Sequence, residues 1–387
     1  MWLNETVASG MVPWYHFIGG EDGLGADRRW QPLGHEYFNW LARHDAHFVN
    51  KRSIANLGVV LSQRTQLFYK PPGTSDVSKY MHGLYYALVE GRFLFDFVHE
   101  DDLESQNLSK YQALILPNVA LLSDTQCEQL RNYVRSGGSL LATFETSLYD
   151  EQGRQRTEFA LADVFGIRRA GDIITARGNS NPYLARIERQ HEIVQGFSNT
   201  DWIPGAQFRI PISPAADPVL TVVPPYPAYP PEVSYPPVPK TDEPAVALRE
   251  TGQSRLIYLP GDVDGTAWIS GNTDLSRLLQ NCVRWILKGE TPVTIRGEGV
   301  IESFAWETKA GIALHLLNYT NPNMHKGWIR DFYAIGEQHV EMRLPDGHRV
   351  SAIQLLRQES SVPFERHGDV VAFRVPKIVD YEVVAVV

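Results

Sequence analysis

The amino-acid sequence predicts an α/β protein built around a doubly wound sheet. Short, continuously apolar runs recur through the first 290 residues, as they do in buried parallel strands, and segments of helical periodicity separate them. From Thr291 onward the helical periodicity stops. Short alternating runs then lie between turn residues such as Asp346-Gly347, which indicates a small β-sandwich. A chain of 387 residues is long enough for several such parts.

The N-terminal part, residues 1–52, predicts one strand followed by one helix. Residues 10–18 form an apolar, strand-like run, and a loop rich in Gly and Asp follows at 19–25. The helix is predicted because five side chains fall on one face, namely Tyr37, Trp40, Leu41, His44 and Phe48. A single β/α unit cannot cover its own apolar strand, so we expect it to pack on another part of the chain.

The middle part, residues 53–290, carries the alternation of strands and helices. Ser75 or Asp76 is a candidate N-cap for one helix, and Ser123 caps another that ends at Gly137-Gly138. A further helix follows Asp274. The runs predicted as strands are 57–61, 93–98, 113–116, 139–144, 245–249 and 256–259. The residues predicted on the inner helix faces are Met81, Leu84, Tyr85, Leu88, Cys127, Leu130, Val134, Leu275, Leu278, Leu279, Cys282 and Ile286.

A proline-rich arm interrupts this part at residues 204–244. The arm holds 13 of the chain's 25 prolines, so it is neither a sheet interior nor a helix, and it predicts extended, polyproline-like chain. The favoured interpretation is a surface arm. The alternative is that its Tyr and Pro residues cover a cleft or grip a neighbouring subunit. Residues 291–387 follow as the predicted sandwich, with alternating runs at 313–317, 339–344, 370–375 and 382–387.

Composition excludes several classes of function. With 36 basic and 45 acidic residues the formal net charge is −9 and the pI is near 5.8, which argues against docking on nucleic acid or on an anionic membrane. No apolar run approaches the roughly 20 residues that span a bilayer. The first residues lack a basic region ahead of an apolar one, so no secretory signal is expected. The two cysteines, Cys127 and Cys282, fit a reducing cytoplasm.

Carboxylates at the end of the run 139–144 are the first candidate catalytic residues. Glu145, Asp150 and Glu151 follow a predicted buried strand, and ligands bind at the carboxyl ends of strands in doubly wound sheets. Such a set can supply a carboxylate pair for acid–base work. The alternative is structural: Ser147 and Asp150 cap the next turn while Glu145 pairs with an arginine. Ser147 as the nucleophile of an amidase or esterase is a weaker option, because it lacks a Gly-x-Ser-x-Gly frame.

The segment 14–30 is a candidate sugar-binding lip. Trp14 offers a ring that can stack on a pyranose face, while His16, Glu21 and Arg28 can bind hydroxyl groups. The alternative is a packed tryptophan beside a hydrogen-bonded core histidine.

We expect no metal and no cofactor. His44 and His47 lack a third ligand, and the acidic loops at 99–102 and 261–265 lack the EF-hand spacing. The acidic loops are therefore interpreted as solvated carboxylates that cap helices. The sequence contains no GxGxxG, P-loop or paired CxxC motif, so nucleotide and redox chemistry have no support.

The chain resembles the C-terminal part of a multidomain glycoside hydrolase, of the kind formed by the family-42 β-galactosidases and family-151 α-L-fucosidases. The similar segments are Tyr111–Pro117, Gly137–Phe144 with Glu145–Glu151, Leu259–Asp262, Leu278–Leu287, His315–Tyr319, and Pro13–Gly20 with Glu36–Asn50.

This resemblance implies three regions. The first is the last β/α unit of a (β/α)8 barrel. The second is a flavodoxin-like trimerisation domain similar to class I glutamine amidotransferases, and the third is a C-terminal β-domain. The usual catalytic Glu pair of the family comes from earlier barrel strands, and Glu145 stands where an amidotransferase cysteine would be.

Two functions are therefore predicted. The first is a cytoplasmic carbohydrate-active protein that binds or hydrolyses glycosides, and the second is a non-catalytic oligomerisation module of a truncated glycosidase. A carbohydrate ligand and a homo-oligomer, with a trimer among the candidates, are the expected partners.

Overall fold

The computed structural model describes residues 1–14, 29–175, 181–213, 217–322, 329–345 and 347–387. The chain divides into two compact units. The sandwich unit comprises Met1–Ala55, Arg92–Leu94 and Thr291–Val387, and the α/β unit comprises Asn56–Gly91 and Phe95–Glu290.

The secondary structure of the described residues is as follows. The helices are α1 (Trp2–Ala8), α2 (Trp30–Arg43), α3 (Gln63–Phe68), α4 (Ser78–Glu90), α5 (Ser105–Leu108), α6 (Asp124–Arg135), α7 (Ala162–Phe165), α8 (Val263–Ser270) and α9 (Thr273–Ile286). Short 3-10 turns lie at Asp45–His47, Glu192–Val194 and Pro231–Val233. The strands up to the end of the α/β unit are β1 (Asn50–Ser53), β2 (Leu57–Leu61), β3 (Asp96–His99), β4 (Ala113–Leu116), β5 (Ser139–Thr143), β6 (Arg168–Arg169), β7 (Ile174–Thr175), β8 (Leu184–Ile187), β9 (Trp202–Pro204), β10 (Phe208–Arg209), β11 (Ile212–Ser213), β12 (Leu220–Val223), β13 (Ala247–Thr251) and β14 (Ser254–Leu259). The later strands are β15 (Val293–Arg296), β16 (Ile301–Thr308), β17 (Gly311–Asn318), β18 (Gln338–Arg343), β19 (Ile353–Leu355), β20 (Ser360–Val362), β21 (Phe364–His367), β22 (Val370–Val375) and β23 (Tyr381–Val386).

The central sheet of the α/β unit has the strand order β13-β14-β5-β4-β2-β3. All neighbours pair in parallel except β13, which is an antiparallel edge strand beside β14. Counted along the chain, the parallel strands follow the order 2-1-3-4-5, which is the flavodoxin-like arrangement. The predicted doubly wound sheet is confirmed. The strand order reverses between β2 and β4, which makes this the topological switch point of the sheet.

Helices bury their apolar sides against both faces of this sheet. Leu140 and Ala142 of β5 face a core that includes Cys127 and Leu130 of α6, because side chains alternate along a strand. Helix α9 contacts β5 and β14, and its buried residues lie outside that core. The capping box at Ser123 forms as the sequence predicts.

The first turn of helix α4 differs from the sequence-based expectation. The helix begins at Ser78, and neither Ser75 nor Asp76 is its N-cap. Asp76 instead accepts a hydrogen bond from the amide of Ser78 at 2.9 Å.

The close approach of α4 and α8 depends on Gly83. A β-carbon at position 83 would lie 1.9 Å from the carbonyl oxygen of Asp264, so only glycine allows the two helices to pack at this distance. Asp264 lies in the first turn of α8, directly after the strand β14. This contact therefore fixes the carboxyl end of β14 against the middle of α4.

Residues between α7 and β13 form an insertion with small antiparallel sheets. The pairs are β7 with β10, β6 with β11, and β8 with both β9 and β12. The proline-rich arm within this insertion exposes its aromatic rings: Tyr229 is 74% and Tyr235 is 61% exposed. The alternative that the arm covers a cleft or grips a neighbouring subunit stays a prediction.

The sandwich unit contains two antiparallel sheets, which confirms the predicted C-terminal sandwich. One sheet has the order β1-β16-β17-β23-β19-β20 and the other the order β15-β18-β22-β21. Leu314 and Val384 from the first sheet share a core with Val340 and Phe373 from the second. Met1–Ala55 belongs to this unit, whereas the sequence analysis treats residues 1–52 as a separate part.

The outer face of the larger sheet is covered by the N-terminal helices. Ala313 and Val383 point away from the sandwich core and join a second core with Ala8 and Trp40. The Trp40 indole donates a hydrogen bond to the Leu356 carbonyl oxygen at 3.1 Å. Strands β17 and β23 are therefore apolar on both faces, which explains why they are almost continuously apolar in sequence.

The N-terminal predictions have mixed outcomes. The helix face containing Tyr37, Trp40 and Leu41 is confirmed, but α2 ends at Arg43 and a 3-10 turn follows. Helix α1 was not predicted. The predicted strand at 10–18 is absent from residues 11–14, and the rest of it lies outside the described residues.

Replacing Gly83 by alanine is expected to reduce the free energy of unfolding by about 1–3 kcal/mol, because the added methyl group must displace the backbone of α8. Urea unfolding followed by circular dichroism measures this change. The control is Gly34→Ala in helix α2, where the nearest atom to the new β-carbon is 3.9 Å away. That variant should keep or slightly raise stability. Equal effects of the two substitutions would contradict the assigned packing.

Candidate functional site

The carboxyl ends of β2, β4, β5 and β14 lie along one edge of the parallel sheet, and the candidate catalytic residues follow one of them. Glu145 comes two residues after β5, while Asn118 follows β4 and Asp262 and Asp264 follow β14. A parallel arrangement brings these ends to the same side of the sheet. Polar side chains far apart in sequence therefore meet at this edge.

Glu145 is buried with both carboxyl oxygens in hydrogen bonds. Glu145 is only 1% exposed. The Tyr69 hydroxyl donates to Oε2, and the Tyr149 hydroxyl donates to Oε1 at 3.0 Å. Burial raises the pKa of Glu145, and it outweighs the opposing effects of the two tyrosine hydrogen bonds and the positive charge of Arg169. Glu145 thus favours its protonated form more than an exposed glutamate does.

The turn after β5 is tight and uses left-handed backbone conformations. Phe144 has φ 49° and Ser147 has φ 66°, which are uncommon for residues with a side chain. The chain passes through turns at 144–147 rather than into a helix. The Glu145 amide donates to Oδ1 of Asn118 at 3.0 Å, which ties the turn to the end of β4.

Ser147 is held inside the protein by the same turn. It is 1% exposed, and its Oγ accepts a hydrogen bond from the Leu161 amide at 3.2 Å. A nucleophilic serine must reach its substrate, so this environment does not favour the amidase or esterase hypothesis.

Asp150 and Glu151 lie in a different environment from Glu145. Oδ1 of Asp150 accepts the amides of Gln152 and Arg154, and its Oδ2 accepts the Arg154 guanidinium at 2.7 Å. Desolvation acts to raise the pKa of Asp150, but these hydrogen bonds lower it below its ordinary value. Glu151 accepts a hydrogen bond from the Gln152 side chain. Asp150 caps this turn, whereas Glu145 pairs with tyrosines rather than with the arginine that the structural alternative predicted.

The end of β14 holds two fully buried carboxyl groups. Lys79 donates from Nζ to Oδ2 of Asp262 at 2.9 Å, and both side chains are at most 1% exposed. Asp264 accepts a hydrogen bond from the Thr143 hydroxyl at 2.7 Å. Burial raises the pKa of Asp264 to about 7. The interpretation of this loop as solvated is therefore wrong, because its carboxyl groups bind partners inside the protein.

In the other acidic loop, Asp101 and Asp102 are exposed as predicted, but Glu100 is buried. It is 2% exposed and accepts hydrogen bonds from the Ser62 hydroxyl and the Arg64 amide. Within the residues that the structure describes, no group of three or more His, Cys, Asp or Glu side chains is arranged to hold a metal ion.

The predicted sugar-binding lip lies largely outside the described residues. Trp14 is 70% exposed and belongs to the sandwich unit. His16, Glu21 and Arg28 fall within the stretch 15–28 that the structure does not describe. Their role as substrate-binding residues stays a prediction.

Sequence reasoning identified the carboxyl groups at this edge and missed their partners. Tyr69 is 76 positions from Glu145, and Asn118 is 27 positions from it. Neither residue lies in a motif. Asn118 comes just after a predicted strand, and that position is a signal that could have identified it, whereas Tyr69 has no such signal.

Residues 55–181 match the family model described as the beta-galactosidase trimerisation domain. The resemblance to the C-terminal part of such a glycoside hydrolase is confirmed by this match and by the folds of solved structures. None of the curated proteins compared with the chain matches it significantly.

Two solved structures illustrate the similarity in fold. Alpha-L-fucosidase isoenzyme 2 from Paenibacillus thiaminolyticus has a TM-score of 0.73 at 20% identity, over 99% of this chain and 56% of that one. A beta-galactosidase from Bacillus circulans sp. alkalophilus has a TM-score of 0.65 at 13% identity, over 95% of this chain and 46% of that one. The chain thus spans about half the length of these structures. None of the helices in the described ranges is long and apolar enough to cross a membrane.

The raised pKa of Asp264 in the α/β unit predicts a pH dependence of stability. Between about pH 4 and pH 7 the folded protein keeps a proton on Asp264 that the unfolded chain releases, so raising the pH through this window lowers the free energy of unfolding. The slope from one such group is at most about 1.4 kcal/mol per pH unit. Asp264→Asn should remove this contribution, and urea unfolding at several pH values measures it.

The matched control is Asp150→Asn. The pKa of Asp150 is lowered in the folded protein and an aspartate of the unfolded chain titrates at about pH 4, so the variant should parallel the wild type from about pH 5 to 7. If the Asp264→Asn curve also runs parallel to the wild type, Asp264 does not titrate as assigned.

Proposed function

We propose that this chain serves the hydrolysis of O-glycosidic bonds, as part of a glycoside hydrolase related to the GH42 β-galactosidases and the α-L-fucosidases. The observation that carries the proposal is that a family match and a fold similarity both point to glycoside hydrolases. The trimerisation-domain match covers residues 55–181, and the similarity in fold to an α-L-fucosidase extends over 99% of the chain. Both units of the chain therefore take part in the similarity.

The finer proposal assigns hydrolysis to the carboxyl groups at the sheet edge. Glycosidases use one protonated carboxyl group as acid and one ionised carboxylate as partner. Glu145, with its raised pKa, suits the acid, whereas Asp150, with its lowered pKa, suits the ionised partner, and Glu151 lies beside it. Trp14, His16, Glu21 and Arg28 are kept as a separately proposed surface for carbohydrate binding.

A non-catalytic role in assembly is the second candidate function. The observation that favours it is the enclosure of Glu145, whose two oxygens are already bound by Tyr69 and Tyr149. A general acid must come within hydrogen-bond reach of the glycosidic oxygen. If Glu145 stays enclosed, its carboxyl group stabilises the turn and takes no part in turnover.

The substitution Glu145→Gln separates these two functions. If Glu145 is the acid, kcat on a panel of nitrophenyl glycosides, including β-galactosides and α-L-fucosides, should fall by about 100-fold or more. The wild-type rate should also fall as the pH rises through the raised pKa of Glu145, and the variant should lose that limb of the profile. Glu128→Gln, at an exposed position on α6, is the control and should leave kcat unchanged. Unchanged turnover in Glu145→Gln would remove Glu145 from the mechanism, and a lack of turnover by the wild type would contradict hydrolysis at this edge.

The proposal also includes a homo-oligomer, since the family is described as a trimerisation domain. Light scattering coupled to size-exclusion chromatography should give a mass that is a multiple of 43.7 kDa, with a trimer as the first candidate. A monomer that persists at every protein concentration would rule out the assembly role.

A further inference from the structure

Six rings of the α/β unit lie in series across α8, α4 and the start of β3. Successive ring centroids are between 4.8 and 5.9 Å apart. Trp268, Tyr86 and Phe97 are 40%, 43% and 50% exposed. Contiguous exposed apolar surface often marks a place where proteins interact, and aromatic rings are enriched in such places. We call this series the aromatic strip, and its members in order are His82, Trp268, Tyr86, Tyr85, Phe95 and Phe97.

The packing of two helices holds the centre of the aromatic strip in place. Gly83 lets α4 lie directly against α8, where a β-carbon would meet the Asp264 carbonyl oxygen at 1.9 Å. Tyr86 follows Gly83 on α4 and lies beside Trp268 of α8, with ring centroids 5.3 Å apart. Rings that are held in place before binding lose little conformational entropy when a partner covers them. The strip is therefore preorganised for a contact.

The proline-rich arm of the same unit supplies a second exposed apolar surface. Its residues 224–239 hold eight prolines, three tyrosines and a single charged residue, Glu232. Every residue from 227 to 233 is exposed. Tyr229 is 74% exposed, so its ring is largely uncovered by its own copy of the chain.

Both ends of this stretch are anchored to the insertion. The Asn181 amide donates a hydrogen bond to the Tyr226 carbonyl oxygen at 2.8 Å, and the Arg186 guanidinium donates to the Pro239 carbonyl oxygen at 3.2 Å. Proline fixes the backbone angle φ, so the chain between these anchors has little freedom left to lose on binding. The arm is therefore stiff as well as exposed.

The two surfaces match in chemistry. Segments with the pattern Pro-x-x-Pro dock on surfaces lined by aromatic rings. The arm has this pattern at 224–227, 227–230 and 236–239. The exposed rings of Trp268, Tyr86 and Phe97 are uncharged, and the arm has one charged residue in this stretch. A contact between arm and strip therefore buries little charge, which agrees with the depletion of charged residues at interface centres.

Two different binding surfaces on one chain favour a ring of copies. A contact between identical patches closes after two copies, whereas a contact between two different patches closes only when the copies form a ring. The trimerisation-domain match at residues 55–181 contains five of the six rings of the aromatic strip. Trp268 and the proline-rich arm lie outside it, so the family match does not itself identify this pair of surfaces.

We propose that the proline-rich arm of one copy docks on the aromatic strip of the next copy, and that three such contacts close a ring. The exposed Tyr229 and Tyr235 of the arm cover Trp268 and Tyr86 of the neighbouring copy. This interface rests on the homo-oligomer proposed above and is independent of glycoside hydrolysis. Each copy uses its arm once and its strip once, so a chain that lacks either surface can join only one neighbour.

Removing rings from either surface of the full chain tests this contact. Trp268→Ala in the strip, or Tyr229→Ala combined with Tyr235→Ala in the arm, should each weaken association by about 30-fold, because central aromatic residues carry much of an interface's binding energy. Sedimentation equilibrium over a concentration series measures this change, and circular dichroism checks that each variant folds. Phe332→Ala, at a 47% exposed position in the sandwich unit, is the control and should associate as the wild type does. If Trp268→Ala does not fold, Tyr86→Lys answers the same question.

Mixing the two kinds of variant tests which surfaces meet. The strip variant keeps an intact arm and the arm variant keeps an intact strip, so an equimolar mixture should form heterodimers at concentrations where each variant alone is a monomer. A mixture that stays monomeric would overturn the pairing of arm with strip. A wild-type oligomer that neither variant weakens would overturn this interface and leave the homo-oligomer standing, whereas a wild-type chain that stays monomeric would overturn both.

Discussion

A continuous chain of hydrogen bonds joins the ends of three strands in the α/β unit, and the candidate site depends on it. The Glu145 amide donates to the Asn118 side chain, the Asn118 amide donates to the Thr143 hydroxyl at 2.8 Å, and that hydroxyl donates to Asp264. All four residues are at most 1% exposed. Because these groups are buried, the loss of one partner would leave the other without a hydrogen bond, which is costly. This series of hydrogen bonds therefore fixes β4, β5 and β14 relative to one another.

The same edge carries more carboxyl groups than buried amines. Lys79 pairs with Asp262, which leaves Asp264 and Glu145 to be neutralised by other means. Glu145 accepts hydrogen bonds from two tyrosine hydroxyls, and Asp264 accepts them from the Thr143 hydroxyl and the Gly265 amide. Burial raises the pKa of both carboxyl groups. A buried carboxyl group without a cation is most stable when it holds a proton. Both groups therefore keep a proton to higher pH than exposed carboxyl groups do, at the edge where doubly wound folds place their chemistry.

The sequence predicts the sheet well because its strands have a local signature. The runs 57–61, 113–116 and 139–143 are apolar on both faces, since helices cover both sides of the sheet. The small strands between α7 and β13 have no such signature. Several are only two residues long, such as β6 and β10, and their pairing is decided by distant partners. Helix α1 is equally hidden, because seven residues are too few for a clear periodicity.

The candidate site is harder to predict than the fold, for a physical reason. Asp262 and Asp264 look in sequence like solvated loop residues, since nothing local marks a carboxyl group as buried. What buries Asp264 is the close packing of α8 on Gly83, which is about 180 positions away along the chain. Likewise, Asn118 looks like an ordinary turn residue until the strand order places it at the switch point. Only the topology turns these residues into a site, because it decides which strand ends become neighbours.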